Sequence, residues 1–246
     1  MIKNKYFYFF IFSFYILSFV GISSFLNGSE LNERSKLLGS QSYSLSINKS
    51  NLDKILKLLK KSDTNNRPQK IIKNGKIIYR YKRSLNEPNK SIKQLEELIK
   101  NPKSLRKYEK FIRISILSLL SNGVQIQIKK IPDLDLSAQW VYDKAKVIFN
   151  WNSLELGTEK FAYLISHEMI HIAQSCKGGG FNSYPVLIGL DLSKIDESNF
   201  ESLKSNVYRD LRPQQIQLEI EAYSNQNNLQ QTLKLFKYFC VTKMNN

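Results

Sequence analysis

The two histidines of this 246-residue chain lie four positions apart, at His167 and His171, with Glu168 directly after the first. Four residues is a little over one helical turn, so both imidazoles leave one helix face and can reach a single ion. Glu168 then sits one residue round from the first ring, where it can poise a water molecule without itself binding the metal. The neighbours Leu164, Ile165, Ser166, Met169, Ile170, Ile172 and Ala173 are all uncharged. A helix with so few polar positions must be buried on nearly every side, so the chain needs a core that surrounds it. Two imidazoles and a carboxylate with an open fourth position suit Zn2+.

The chain can build such a core, since 42% of its residues are apolar. Its net charge of +16 is concentrated: residues 49–113 hold 20 Lys/Arg against 6 Asp/Glu, whereas residues 114–246 are balanced. That basic stretch favours anionic partners, lipid headgroups or nucleic acid. Cys176 and Cys240 are too few for a disulfide framework but could pair in an oxidising compartment.

Lys3 and Lys5 precede an uncharged run from Tyr6 to Ser29, most of it aromatic or aliphatic as far as Val20. This is the layout of a secretory signal. The run is also long enough to span a bilayer with some tilt. We read residues 1–28 as an export signal, and prefer an uncleaved anchor to cleavage after Ser23. The rest of the chain is then expected on the non-cytoplasmic side of the membrane.

Along the chain, Asn27 to Ser50 reads as a polar linker, and Asn51 to Lys61 as a short amphipathic helix broken over Ser62–Pro68. Lys70 to Lys82 is a hairpin pattern, with β-branched runs either side of Asn74-Gly75. Ser91–Lys100 and Ser104–Ser121 are predicted helices, the second capped by Ser104 and closed at Asn122-Gly123. Val124–Ile131 alternates as a strand does, and Ala138–Trp151 reads as two strands around Asp143-Lys144. Thr158 is placed as the cap of the histidine helix, which runs to Cys176 and stops at glycines 178–180. From Gln214 the pattern is helical almost to the end. The expected division is 1–28 signal or anchor, 29–103 basic linker and accessory region, and 104–246 the domain bearing the site.

The HExxH motif and the order of these elements resemble the zincin metallopeptidases. The implied fold is α+β: a backing helix, a small mixed sheet, the HExxH helix, and a C-terminal helix bringing a glutamate. Gln174 and Lys177 stand where metzincins have a glycine and a final ligand, so the gluzincin pattern is the nearer one. Its Glu-x-x-x-Asp is similar to Glu221–Asn225. Helical periodicity leaves Glu219 and Glu221 level, each about 80° from the centre of the apolar stripe through Leu218, Ala222 and Leu229. Asn225, one turn after Glu221, could accept a ligand histidine's second N–H, and it tips the choice to Glu221, with Glu219 as the alternative.

The resemblance implies a peptide-bond hydrolase in which Glu168 activates a zinc-bound water on a peptide or protein substrate. A developing oxyanion needs a further donor, and Tyr208 or Arg209 are chosen from a connection that also holds Tyr184 and Arg212. Lys146–Trp151 is the expected sheet edge along which substrate would lie. Two other classes compete. One is a non-catalytic zincin-fold module that binds metal or a partner at the membrane, against which an intact Glu168 argues. The other is a nucleic-acid binder using residues 49–113, which export and the lack of a binding motif disfavour; anionic lipid is the expected partner there.

Overall fold

The computed structural model describes residues 11–12, 44–82, 88–130, 136–203 and 211–242. The expected signal segment therefore lies outside the described residues, save for Ile11–Phe12. No helix among the described residues is long and apolar enough to cross a membrane.

Five strands form one sheet in the order β1 (Ile11–Phe12), β6 (Leu136–Val141), β7 (Lys146–Asn150), β5 (Gln125–Lys129), β2 (Ser44–Ser46). β5 and β7 run parallel, with Ile126 opposite Val147 and Ile128 opposite Phe149. β6 is antiparallel to β7, pairing Ala138 with Phe149 and Trp140 with Val147. Strict alternation sends these residues to one face of the pleat, where all six are buried. The tight connection between β6 and β7 holds Asp143 and Lys144, and Ala145 closes it in the left-handed region.

Two expectations about this sheet are corrected. β7 is not an edge, because β5 and β6 hydrogen-bond to its two sides. The expected linker also contains β2, whose Ser44–Ser46 pairs antiparallel with Lys129–Gln127. Three residues of a Ser/Leu/Ser strand carry too little periodicity to be read locally.

α1 (Leu52–Asn66) packs on α4 (Thr158–Lys177), which together with α3 (Arg106–Ser121) covers the sheet. Leu52, Ile55, Leu56 and Leu59 of α1 share one core with Ile112, Ile116, Phe149 and Phe161. α1 runs five residues past Lys61, through the expected breaker, for a structural reason. Its last turn places Asp63 at the start of α4, where the carboxylate accepts from the N–H and the hydroxyl of Thr158. Thr158 is thus the first helical residue and not the cap; a residue 95 positions away supplies the capping oxygen. Gly157 precedes it at φ +85°, and a Cβ there would collide with Asp63, so glycine is needed twice over.

A separate two-stranded hairpin, β3 (Gln69–Lys73) and β4 (Lys76–Arg80), turns through Asn74 and Gly75, both at positive φ. α2 (Ile92–Lys100) lies beside it, capped by Ser91 and Gln94 in a reciprocal box. Towards the C-terminus come α5 (Glu197–Leu203), α6 (Pro213–Asn225) and α7 (Leu229–Phe236), then a wide π-type turn, Lys237–Thr242. The continuous helix expected from Gln214 is therefore broken at 226–228, with Asn228 capping α7. Cys240 in the final turn forms a disulfide with Cys176 in the last turn of α4.

Candidate metal centre

α4 is walled in by the sheet, α1, α3, α6 and α7, and is buried almost without interruption from Phe161 to Cys176. His167 and His171 lie on the face that meets α6. Their rings pack edge to face, with centroids 4.8 Å apart, and the two Nε2 atoms are 3.0 Å from each other. Glu219 of α6 completes a triangle: its Oε2 lies 3.4 Å from Nε2 of His167 and 3.5 Å from Nε2 of His171. This is the single group of three or more His, Cys, Asp or Glu among the described residues that could hold a metal ion.

The triangle fits a metal. Four ligands arranged tetrahedrally at about 2.0–2.1 Å from an ion stand about 3.3 Å from one another. The three observed separations straddle that value. Burial adds weight, since beyond the two imidazoles at 3.4 and 3.5 Å the Glu219 carboxylate has no hydrogen-bond partner among the described residues. A wholly buried carboxylate in that condition is costly unless a cation answers it.

Burial depresses the pKa of His167. Burial also opposes the charge on His171, but the adjacent Glu219 carboxylate outweighs it and raises this ring to about 9. Glu219 is pulled down to about 2, the imidazoles overcoming its own desolvation. Glu168, beside the cluster, is pushed up to about 8 by burial, which outweighs the pull of His171 and of the Trp140 backbone, and neither of its oxygens makes a short hydrogen bond.

The choice of Glu221 as third ligand is corrected. Residues two apart on a helix point about 200° from each other, so only one can face the imidazoles. Glu221 is fully buried on the other side, where its carboxylate accepts from the N–H groups of Ile188, Gly189 and Leu190 and from Nε2 of Gln174. Asn225 likewise fails to meet a histidine. Its Nδ2 donates to the carbonyls of Asp191 and Glu221, 2.9 Å from each.

The orienting role falls instead to two glutamines. Gln226 Oε1 is 3.1 Å from Nδ1 of His167, and Gln174 Oε1 is 2.8 Å from Nδ1 of His171. Tyr223 stacks edge-on to His167 with centroids 4.5 Å apart. Glu219, Tyr223 and Gln226 stand at i, i+4 and i+7, a single helical face, and that spacing is the signal that separates Glu219 from Glu221. Of the expected oxyanion donors, Tyr208 and Arg209 lie outside the described residues. Tyr184 is exposed and stacks on Tyr142, and Arg212 precedes α6, its N–H donating to Gln215.

No family model, curated protein or solved structure matches this chain.

Proposed function

We propose that the chain is a zinc-dependent peptide-bond hydrolase of the zincin type, with His167, His171 and Glu219 as ligands. The observation that carries this reading is Glu168. A carboxylate sealed beside a three-ligand cluster, with neither oxygen in a short hydrogen bond, has no bracing role among the described residues. It has an evident chemical one. When bound, zinc supplies a Lewis acid for a carbonyl oxygen and acidifies water. Glu168 takes the proton from the attacking water and delivers it to the leaving amide nitrogen. Burial holds its pKa above the ordinary carboxylate range, which suits a group that must accept and release a proton near neutrality. Gln174 and Gln226 orient the rings. β6 is the strand we assign to substrate, since its outer side pairs with only the two residues of β1.

The test compares the wild type with Glu168→Gln on generic peptides, both loaded with zinc. Equal metal content and loss of turnover, by at least a hundredfold, are expected in the variant. Equal turnover would favour the non-catalytic module.

We place the site outside the cytoplasm, a position that the Cys176–Cys240 disulfide favours. Anionic lipid is the partner we assign to the basic region. Residues 69–82 carry five Lys/Arg and no acid, and Ile72 and Ile77 of the hairpin are 74% and 56% exposed. Cations beside bare isoleucines suit a headgroup boundary better than a nucleic acid. In the full chain held in vesicles, an environment-sensitive dye on Ile72→Cys should report an apolar setting with anionic lipid and lose it in high salt. An unchanged signal in neutral vesicles would remove the assignment.

A further inference from the structure

We infer that Glu221 is a positioning residue for the ligand His171, acting through Gln174; this rests on the metal reading above. Four donors converge on the Glu221 carboxylate: the N–H groups of Ile188 (2.8 Å), Gly189 (2.6 Å) and Leu190 (2.8 Å), and Nε2 of Gln174 (2.9 Å). With four donors on its two oxygens, the Glu221 carboxylate serves only as an acceptor.

Gln174, itself fully buried, is thereby locked one way round. Its Nε2 faces two acceptors, the Glu221 carboxylate and the Leu218 carbonyl at 3.1 Å. Its Oε1 must then face His171, 2.8 Å from Nδ1. An acceptor at that distance requires a hydrogen on Nδ1, which leaves Nε2 as the nitrogen that can bind an ion. That atom is the one pointing at Glu219 and His167. The chain of polarity therefore runs from Glu221 to Gln174 to the tautomer of His171.

The same carboxylate fastens the segment 188–190 over the ligand helices. Val186 adds a hydrogen bond from its N–H to the Gln174 carbonyl, and Ser224 bonds the Leu192 carbonyl. A clasp for this segment alone would explain why Glu221 is buried. It would not explain why one of the four donors is the amide that orients a ligand.

The test uses the full chain in detergent, stripped of metal and titrated with Zn2+ against a chelator, and with Co2+ by absorption. Glu221→Gln should weaken zinc binding about tenfold and shift the cobalt ligand-field bands. Gln174→Met should weaken it at least as much. The double variant should be no worse than Gln174→Met alone, because both changes break one relay. Losses that multiply, or wild-type affinity in folded Glu221→Gln, overturn the inference. With only two histidines, 15N spectra of the zinc-loaded wild type read the His171 tautomer without any variant. A hydrogen on Nδ1 is expected, and an unprotonated Nδ1 overturns the relay whether or not the variants fold. Failure of the wild type to bind zinc or cobalt at all would instead sink the metal reading, and the relay with it.

Discussion

Replacing both cysteines, as Cys176→Ala with Cys240→Ala, removes a covalent tie between the last turn of the histidine helix and the C-terminal turn. The two residues are 64 positions apart, so the bond closes a long loop in the unfolded chain. The loop-entropy relation gives about 4 kcal/mol for a loop of this length. Both sites are buried, at 7% and 2% exposure, and alanine avoids burying a new hydroxyl there, so the entropic part dominates. For a chain of this size, each kcal/mol moves the melting temperature by about 2–4 °C, which makes the expected fall about 8–16 °C. The assay is urea unfolding followed by circular dichroism, on metal-free protein so that ligand linkage does not mask the loss. A difference below about 1 kcal/mol would refute the reasoning, since the bond would then constrain an unfolded chain that is already compact.

Asp63→Ala should destabilise the protein by about 1–2 kcal/mol, the usual worth of a helix N-cap, because it strips the start of α4. Gly157→Ala should do at least as much harm through the collision and the positive φ, and thermal melts of the pair would check both. Glu159 offers a pH test. Burial pushes its carboxyl up, but hydrogen bonds from Lys103, Tyr108 and Tyr163 outweigh this and hold its pKa below the ordinary value. A depressed acid contributes stability above its unfolded pKa and loses it as pH falls through the folded one. Acid-side urea midpoints should therefore drop less steeply in Glu159→Gln than in the wild type, and parallel profiles would count against the cluster.

The parts of this protein that local rules govern were legible in the sequence. Asn74-Gly75 announces the hairpin because both residues tolerate positive φ. The alternation through Gln125–Lys129 and the largely apolar surroundings of His167 and His171 announce a strand and a buried helix. What sequence reasoning missed was set by partners far away in the chain. Asp63 prolongs α1 because Thr158 needs a cap, and nothing near Ser62 signals that. β7 resembles an edge strand until β5 and β6 are both seen beside it. The two candidate glutamates are the sharpest case. Both are buried, so an apolar stripe could not rank them, and the pattern match to Glu221–Asn225 selected the residue that braces the site. The deciding neighbours were Tyr223 and Gln226, whose relevance depends on where α6 crosses α4.

Anomalous diffraction at the zinc edge from zinc-loaded crystals tests the central claim most directly. One peak is expected about 2.0–2.2 Å from Nε2 of His167, Nε2 of His171 and a Glu219 oxygen, with a fourth position open to solvent. A peak held by Glu221, or zinc bound anywhere but between the two imidazoles, would contradict it.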